Sequence, residues 1–214
     1  MKLSRLSERA TVVDDALPAR AGIQHSRSIF GPGVVVLVVG PSGAGKDALL
    51  RGAAAELQPD TRFVFPKRII SRPVHAAEAH DPATHEEMTA AARAGAYALS
   101  WQAHGLIYGV ASDVVDDGVH AGKTVVFNTS RTVVAEARKR FQKLVALYID
   151  APREVRAARL AMRGRETTLE IAERLARDVS TFELSDAEIV ISNDGNVLDG
   201  VDQLVGALKK TGSK

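Results

Sequence analysis

The chain has 214 residues, 45% of them hydrophobic and 25% charged, the balance of an ordinary soluble α/β domain with a sizeable core. It has no cysteine, which excludes a disulfide framework and any thiolate metal site. The 28 basic and 26 acidic residues include five and three, respectively, in residues 1–33, so residues 34–214 carry 23 of each. A neutral body argues against nucleic acid as a partner; no apolar run approaches a membrane span and no leader is visible, so the cytoplasm is the default compartment.

Residues 1–33 are polar, with Pro18, Pro32, Gly22, Gly31 and Gly33 and no sustained period. They read as a flexible N-terminal extension, with the domain proper over 34–210. Val34–Val39 is apolar on both faces, the mark of a central strand in a parallel sheet. Ala48–Leu57 reads as the helix that follows. Short strands are expected at Arg62–Phe65 and Arg68–Ser71, then a polar loop at His75–Thr84 and a helix at Glu86–Ala94. Paired strands are expected at Tyr97–Trp101 and Leu106–Val110, and a short helix around Val114–Asp117. Thr124–Asn128 and Leu144–Asp150 are further buried strands, separated by a helix over about 131–141. Pro152 opens a helix to about Met162. A charged loop, 163–168, leads to a helix over 169–182; a last strand at Glu188–Ser192 and a helix at Val197–Leu208 close the chain. Alternating strands and helices predict a doubly wound, mostly parallel α/β sheet, with residues 68–110 as a small mixed insertion.

Between the first strand and its helix stands Gly40-Pro41-Ser42-Gly43-Ala44-Gly45-Lys46-Asp47. The G-x-x-x-x-G-K spacing in a strand–loop–helix context is a phosphate-binding loop of P-loop nucleotide-binding proteins. Its backbone N–H groups and the positive end of the helix cradle a polyphosphate, and Lys46 reaches the outer phosphates. Position 47 carries Asp where a Ser or Thr hydroxyl usually meets magnesium. A carboxylate is a stronger ligand for a hard cation. The alternative for Asp47 is simple capping of the helix N-terminus.

The ordered set of the loop, Arg68-Ile69-Ile70-Ser71-Arg72-Pro73, Glu78-Ala79-His80, Ala98-Leu99-Ser100-Trp101, Gly105-Leu106-Ile107-Tyr108-Gly109-Val110, the stretch from Arg159 to Glu166, and Ser192-Asn193-Asp194-Gly195 resembles the guanylate-kinase-like P-loop kinases. The resemblance is closest to the ribose 1,5-bisphosphate phosphokinases of phosphonate catabolism. It implies phosphoryl transfer from ATP, with Mg2+, to ribose 1,5-bisphosphate, giving 5-phosphoribosyl 1-diphosphate (PRPP). It also implies ATP contacts from the loop and from Asn193 and Asp194. Phosphate clamping would come from Lys46, Arg159, Arg163 and Arg174 of a lid over 159–177. Arg68, Arg72, Glu78, His80, Ser100, Trp101 and Tyr108 would bind the acceptor, Tyr108 from a Tyr-Gly turn; Trp101 reads equally well as core.

Guanylate kinases have a Glu where Ser100 stands, which pairs with guanine, and an Arg and Tyr beyond the Pro that Val74 and His75 do not supply. Losing a buried hydrogen-bonding partner costs orders of magnitude in discrimination. A guanylate kinase is therefore the alternative enzyme, and a non-enzymatic guanylate-kinase-like interaction module the alternative of another class, though such modules lose the lysine and lid arginines retained here. Guanylate kinases also carry an acid at the end of the strand matching Thr124–Phe127. Here that position is Asn128, which suggests that the metal-directed carboxylate has moved to Asp47. The partners are ATP and a small sugar bisphosphate. A homodimer is compatible with the sequence, which does not fix the oligomeric state.

Overall fold

The computed structural model describes residues 29–73, 80–103, 105–162, 164, 167–176, 182 and 184–212. In chain order the elements are β1 (Val34–Val39), α1 (Lys46–Leu57), β2 (Phe63–Val64), β3 (Arg68–Ile70), β4 (His80–Pro82), α2 (His85–Arg93), β5 (Tyr97–Ala103) and β6 (Leu106–Ala111). There follow α3 (Ser112–His120), β7 (Thr124–Asn128), a short 3-10 turn into α4 (Val134–Arg140), β8 (Leu144–Asp150), α5 (Arg153–Met162), α6 (Thr168–Ala176), β9 (Ile189–Ser192) and α7 (Val197–Thr211).

The main sheet runs β2-β7-β1-β8-β9, with every pairing parallel. β1 lies at its centre because its side chains are apolar on both faces. Val35, Leu37 and Val39 enter one core with Phe127, Phe141 and Tyr148; Val36 and Val38 enter another with Leu49, Leu147, Leu204 and Leu208. A polar residue on either face of β1 would lie unsatisfied in one of these cores. From β1 the chain goes to β2 at one edge, returns to β7 beside β1, and then crosses to β8 on its other side, so the end of β1 is a switch point, where ligands of open α/β sheets bind.

The insertion is a separate mixed sheet, β4-β3-β6-β5, in which β3 pairs parallel to β4 and antiparallel to β6. Helix α2 covers one face with Met88 and Ala92 against Tyr97 and Ile107. A reciprocal cap starts this helix: Glu87 N–H donates to Thr84 Oγ1 at 3.1 Å, and Thr84 N–H donates to Glu87 Oε2 at 2.7 Å. Such a box satisfies two otherwise orphaned donors and is worth about 1 kcal/mol.

Three elements depart from the sequence expectation. The expected polar loop 75–84 contains β4, a three-residue edge strand held by its register with β3. Tyr108 and Gly109 lie inside β6 rather than in a turn. Packing also starts before Val34: Ile29 is buried, its N–H donates to the Arg140 carbonyl at 2.8 Å, and it bridges to Phe141. Residues 1–28 of the expected extension lie outside the described residues, as do Glu78, Arg163 and Arg177. Among the described residues no helix is long and apolar enough to cross a membrane.

Candidate active site

The loop Gly40–Gly45 leaves β1 at the carboxyl edge of the main sheet and turns into α1. All three glycines of the loop have positive φ, and Gly40 and Gly45 are the most tightly enclosed. Gly40 has φ +143°, and a Cβ there would come within 2.1 Å of the Ile149 carbonyl oxygen on β8. Gly45 has φ +92°, and a Cβ would come within 2.3 Å of Asn193 Nδ2. The tight curl that turns backbone donors inward thus also lets the loop sit flush against β8 and β9. Lys46 Nζ donates to the carbonyls of Gly40 and Pro41, both at 2.8 Å, which holds the ammonium across the mouth of the loop.

Asp47 is not a helix cap. The N-cap of α1 is Gly45, with no side-chain capping bond. Instead, Asp47 Oδ1 accepts from Arg68 Nη2 at 2.9 Å and from Asn128 Nδ2. Arg68 comes from β3 of the insertion sheet, and Asn128 ends β7, paired with Val38 of β1. One carboxylate oxygen therefore ties the loop helix, the main sheet and the insertion sheet together. Asn128, which stands at the strand end where guanylate kinases carry an acid, donates its amide to the Asp47 carboxylate. Adjacency of β7 to β1 is the signal that could have found the pair.

Behind the loop, Asn193 follows β9 and is 3% exposed. Its Nδ2 donates to the Ala44 carbonyl at 2.7 Å, its own N–H donates to the Asp150 carbonyl, and its carbonyl accepts from Arg159 Nη1 at 2.8 Å. The Asn193 side chain is thus a strut for the loop, and Asp194 beside it is exposed. Arg159 belongs to α5, as does Arg156, whose Nε donates to the Ala151 carbonyl at 3.1 Å. The helix pair α5–α6 has its own small core of Leu160, Ile171 and Leu175. Arg174 lies in α6; Arg163 falls outside the described residues.

On the insertion sheet the structure brings Arg68, Tyr108 and Trp101 together. The Arg68 guanidinium carbon lies 5.9 Å from the centre of the Tyr108 ring, and Tyr108 stacks on Trp101 with centroids 5.4 Å apart and planes 5° from parallel. Trp101 is 7% exposed and belongs to the main core, so it braces Tyr108 from behind. Ser100 does not join them. It pairs with Gly109 and alternates onto the face covered by α2, where it is buried. His80 is also buried and lies in register with Arg68. Arg72 is half-buried just past the other end of β3.

Loop, parallel strand order and mixed insertion define a P-loop nucleotide-binding protein with guanylate-kinase-like architecture. A guanylate kinase from Anaplasma phagocytophilum superposes with a TM-score of 0.63 over 88% of this chain and 89% of that one, at 17% identity, a likeness of fold. The family model described as an AAA domain matches residues 35–183. Ribose 1,5-bisphosphate phosphokinase PhnN of Acidiphilium cryptum is 48% identical over 162 residues, 76% of this chain and 84% of that protein. Its counterpart from Pseudofrankia inefficax is 46% identical over 176 residues, 82% of this chain and 90% of that protein. A bifunctional ribose 1,5-bisphosphokinase–thymidine phosphorylase of Azorhizobium caulinodans is 42% identical over 182 residues, and the chain spans 26% of that longer protein. The chain belongs to the AAA domain family and, within it, to the ribose 1,5-bisphosphate phosphokinases.

Proposed function

We propose that this protein transfers the γ-phosphoryl group of ATP to ribose 1,5-bisphosphate. An oxygen of the acceptor's C1 phosphate attacks the γ-phosphorus, the bond to the ADP oxygen breaks, and 5-phosphoribosyl 1-diphosphate and ADP leave. The attacking oxygen belongs to a phosphate that is ionised at neutral pH, so no general base is required, and catalysis reduces to positioning and charge neutralisation. The observation that carries this reading is the joining of a complete phosphate-binding loop to an arginine-bearing acceptor sheet, in a chain 46–48% identical to kinases of that name.

The loop N–H groups and the α1 N-terminus would hold the ATP phosphates. Lys46 would exchange its bonds to the Gly40 and Pro41 carbonyls for bonds to the transferring phosphoryl oxygens. Arg159 stands beside the loop, and with Arg163 and Arg174 it would close over the phosphates and exclude water that otherwise wastes ATP. Arg68 and Arg72, at opposite ends of β3, would receive the two acceptor phosphates. Tyr108, His80 and Glu78 would line the sugar.

P-loop kinases generally use ATP with Mg2+, and the donor set here fits that ion. Mg2+ favours one or two carboxylates plus substrate phosphates over an all-protein cage. Asp47 supplies a carboxylate in the first turn of α1, 45% exposed, with both of its recorded donors on Oδ1. Magnesium bound there would neutralise charge on the β- and γ-phosphates.

The test is coupled ADP release with magnesium-ATP and ribose 1,5-bisphosphate, GMP or ribose 5-phosphate as acceptor. Turnover confined to ribose 1,5-bisphosphate, with 5-phosphoribosyl 1-diphosphate detected by phosphorus NMR, is the expected result. Turnover of GMP overturns the acceptor assignment.

A further inference from the structure

The Asp47–Arg68 ion pair joins the helix after the phosphate-binding loop to the insertion sheet. Each partner has a second charge to meet once both substrates bind: Asp47 a cation carried by the nucleotide, Arg68 a phosphate of the acceptor. In this structure they meet each other at 2.9 Å. The pair is asymmetric. The Arg68 side chain is 16% exposed, packed beneath by the Tyr108 ring, whereas Asp47 is 45% exposed. Asn128 holds the same carboxylate oxygen from the main sheet. When Arg68 turns away, Asp47 therefore stays at the loop.

We propose that Arg68, by exchanging Asp47 for an acceptor phosphate, links acceptor binding to the affinity for magnesium-nucleotide. A carboxylate shared with a guanidinium is a weaker ligand for a hard cation than one held only by a neutral amide. A guanidinium satisfied by a carboxylate has correspondingly less to gain from phosphate. Arg68 moving onto an acceptor phosphate frees the negative charge of Asp47 for the cation, and a cation at Asp47 repels Arg68 toward the phosphate. The linkage is reciprocal by thermodynamic necessity, and couplings of this kind run from about 5- to 150-fold. It rests on the kinase reading above, because it needs an anionic acceptor beside a nucleotide site. Its consequence is that magnesium-ATP is held most tightly when an acceptor is present, which disfavours transfer to water.

The experiment is titration calorimetry of ADP, which cannot phosphorylate the acceptor, into the full chain. It is run with Mg2+ or with EDTA, each with and without saturating ribose 1,5-bisphosphate. The acceptor is expected to tighten magnesium-ADP binding at least about 5-fold and to leave metal-free ADP nearly unchanged. In Arg68→Gln the enhancement disappears while magnesium-ADP alone binds at least as tightly as in the wild type, since a competing cation is gone. Arg68→Lys keeps the charge without the fork and retains part of the enhancement. An undiminished enhancement in Arg68→Gln, or an equal one with EDTA, overturns the coupling. If ribose 1,5-bisphosphate has no effect on the wild type, inorganic phosphate is substituted as the probe. Enhancement by phosphate upholds the coupling and removes only the sugar assignment; none with either probe overturns the coupling itself.

Discussion

The Arg68 guanidinium and the Asp47 carboxylate come from different sheets of the molecule and meet at 2.9 Å, 21 residues apart in the chain. β3 is only three residues long, and its sheet touches the loop through this contact rather than through a continuous ladder. The two sheets share a core in which Leu99, Trp101 and Val110 lie with Leu37 and Phe127, and the charge pair adds a polar tie at the end nearest the loop.

Replacing Asp47 with Ser should therefore affect both binding and stability. The variant leaves a largely shielded guanidinium and the Asn128 amide without their acceptor, which costs about 1–3 kcal/mol, discounted toward the lower end because Asp47 is nearly half exposed. Urea unfolding measures that loss. The Mg2+ concentration for half-maximal turnover is expected to rise, and an unchanged magnesium dependence at unchanged rate would remove Asp47 from metal handling.

Lys46 makes the opposite case, a residue whose loss should spare the fold. Its recorded bonds run to two carbonyls of its own loop, and water can replace an ammonium at a half-buried site. Lys46→Met is expected to lower kcat by about 10²- to 10³-fold, the range for losing one preorganised charge partner. Its melting midpoint should shift by no more than about 2–4 °C, the equivalent of about 1 kcal/mol in a chain of this size. A midpoint drop well beyond that would mean that the lysine mainly holds the loop together.

Asn193 tests the strut behind the loop. Asn193→Ala removes the donor to the Ala44 carbonyl and leaves that acceptor buried, at a cost of about 1–3 kcal/mol. Asn193→Asp places a carboxylate against the carbonyl and should be worse. Both are expected to raise the KM for ATP more than they lower kcat, because they loosen the cradle rather than remove a charge from the reacting atoms. Equal KM values in wild type and Asn193→Ala would show that the loop keeps its shape without the strut.

The parts of this site that could be read in the sequence are those whose physics is local. Gly40–Asp47 is legible because a buried strand, glycines at fixed offsets and a lysine lie in one uninterrupted run. β4 is not, because His80-Asp81-Pro82 has no apolar alternation; a short edge strand with a proline owes its existence to β3 beside it. Gly109 imitates a turn residue, but its missing Cβ makes room for the Tyr97 ring, which a Cβ would approach to 2.7 Å. The register shift between Tyr97 and Leu99 in the β5–β6 pairing sets the alternation that puts Trp101 on the Tyr108 face and Ser100 on the α2 face, an outcome that spacing alone does not reveal. The meeting of Asp47, Arg68 and Asn128 spans up to 81 residues and follows only from the strand order.

Away from the site, the loop after α1 predicts a feature of the acid limb of stability. Asp60 Oδ2 accepts from Arg62 Nη2 at 2.6 Å, and its Oδ1 from the Arg62 backbone N–H at 3.1 Å. The Arg62 side-chain hydrogen bonds lead in holding the Asp60 carboxyl down, from the ordinary 3.8 to about 2. A carboxylate whose pKa is depressed by folding adds stability at pH values above its unfolded pKa and loses that contribution as pH falls through the folded value. The contribution of Asp60 should therefore be complete above about pH 4 and fade toward pH 2. Glu87, lowered chiefly by the Thr84 backbone N–H, adds to the same limb. Urea midpoints measured across this window should fall less steeply in Asp60→Asn than in the wild type, while the two proteins keep a constant difference above it. Parallel curves throughout the window would show that the Asp60–Arg62 contact persists in the unfolded chain.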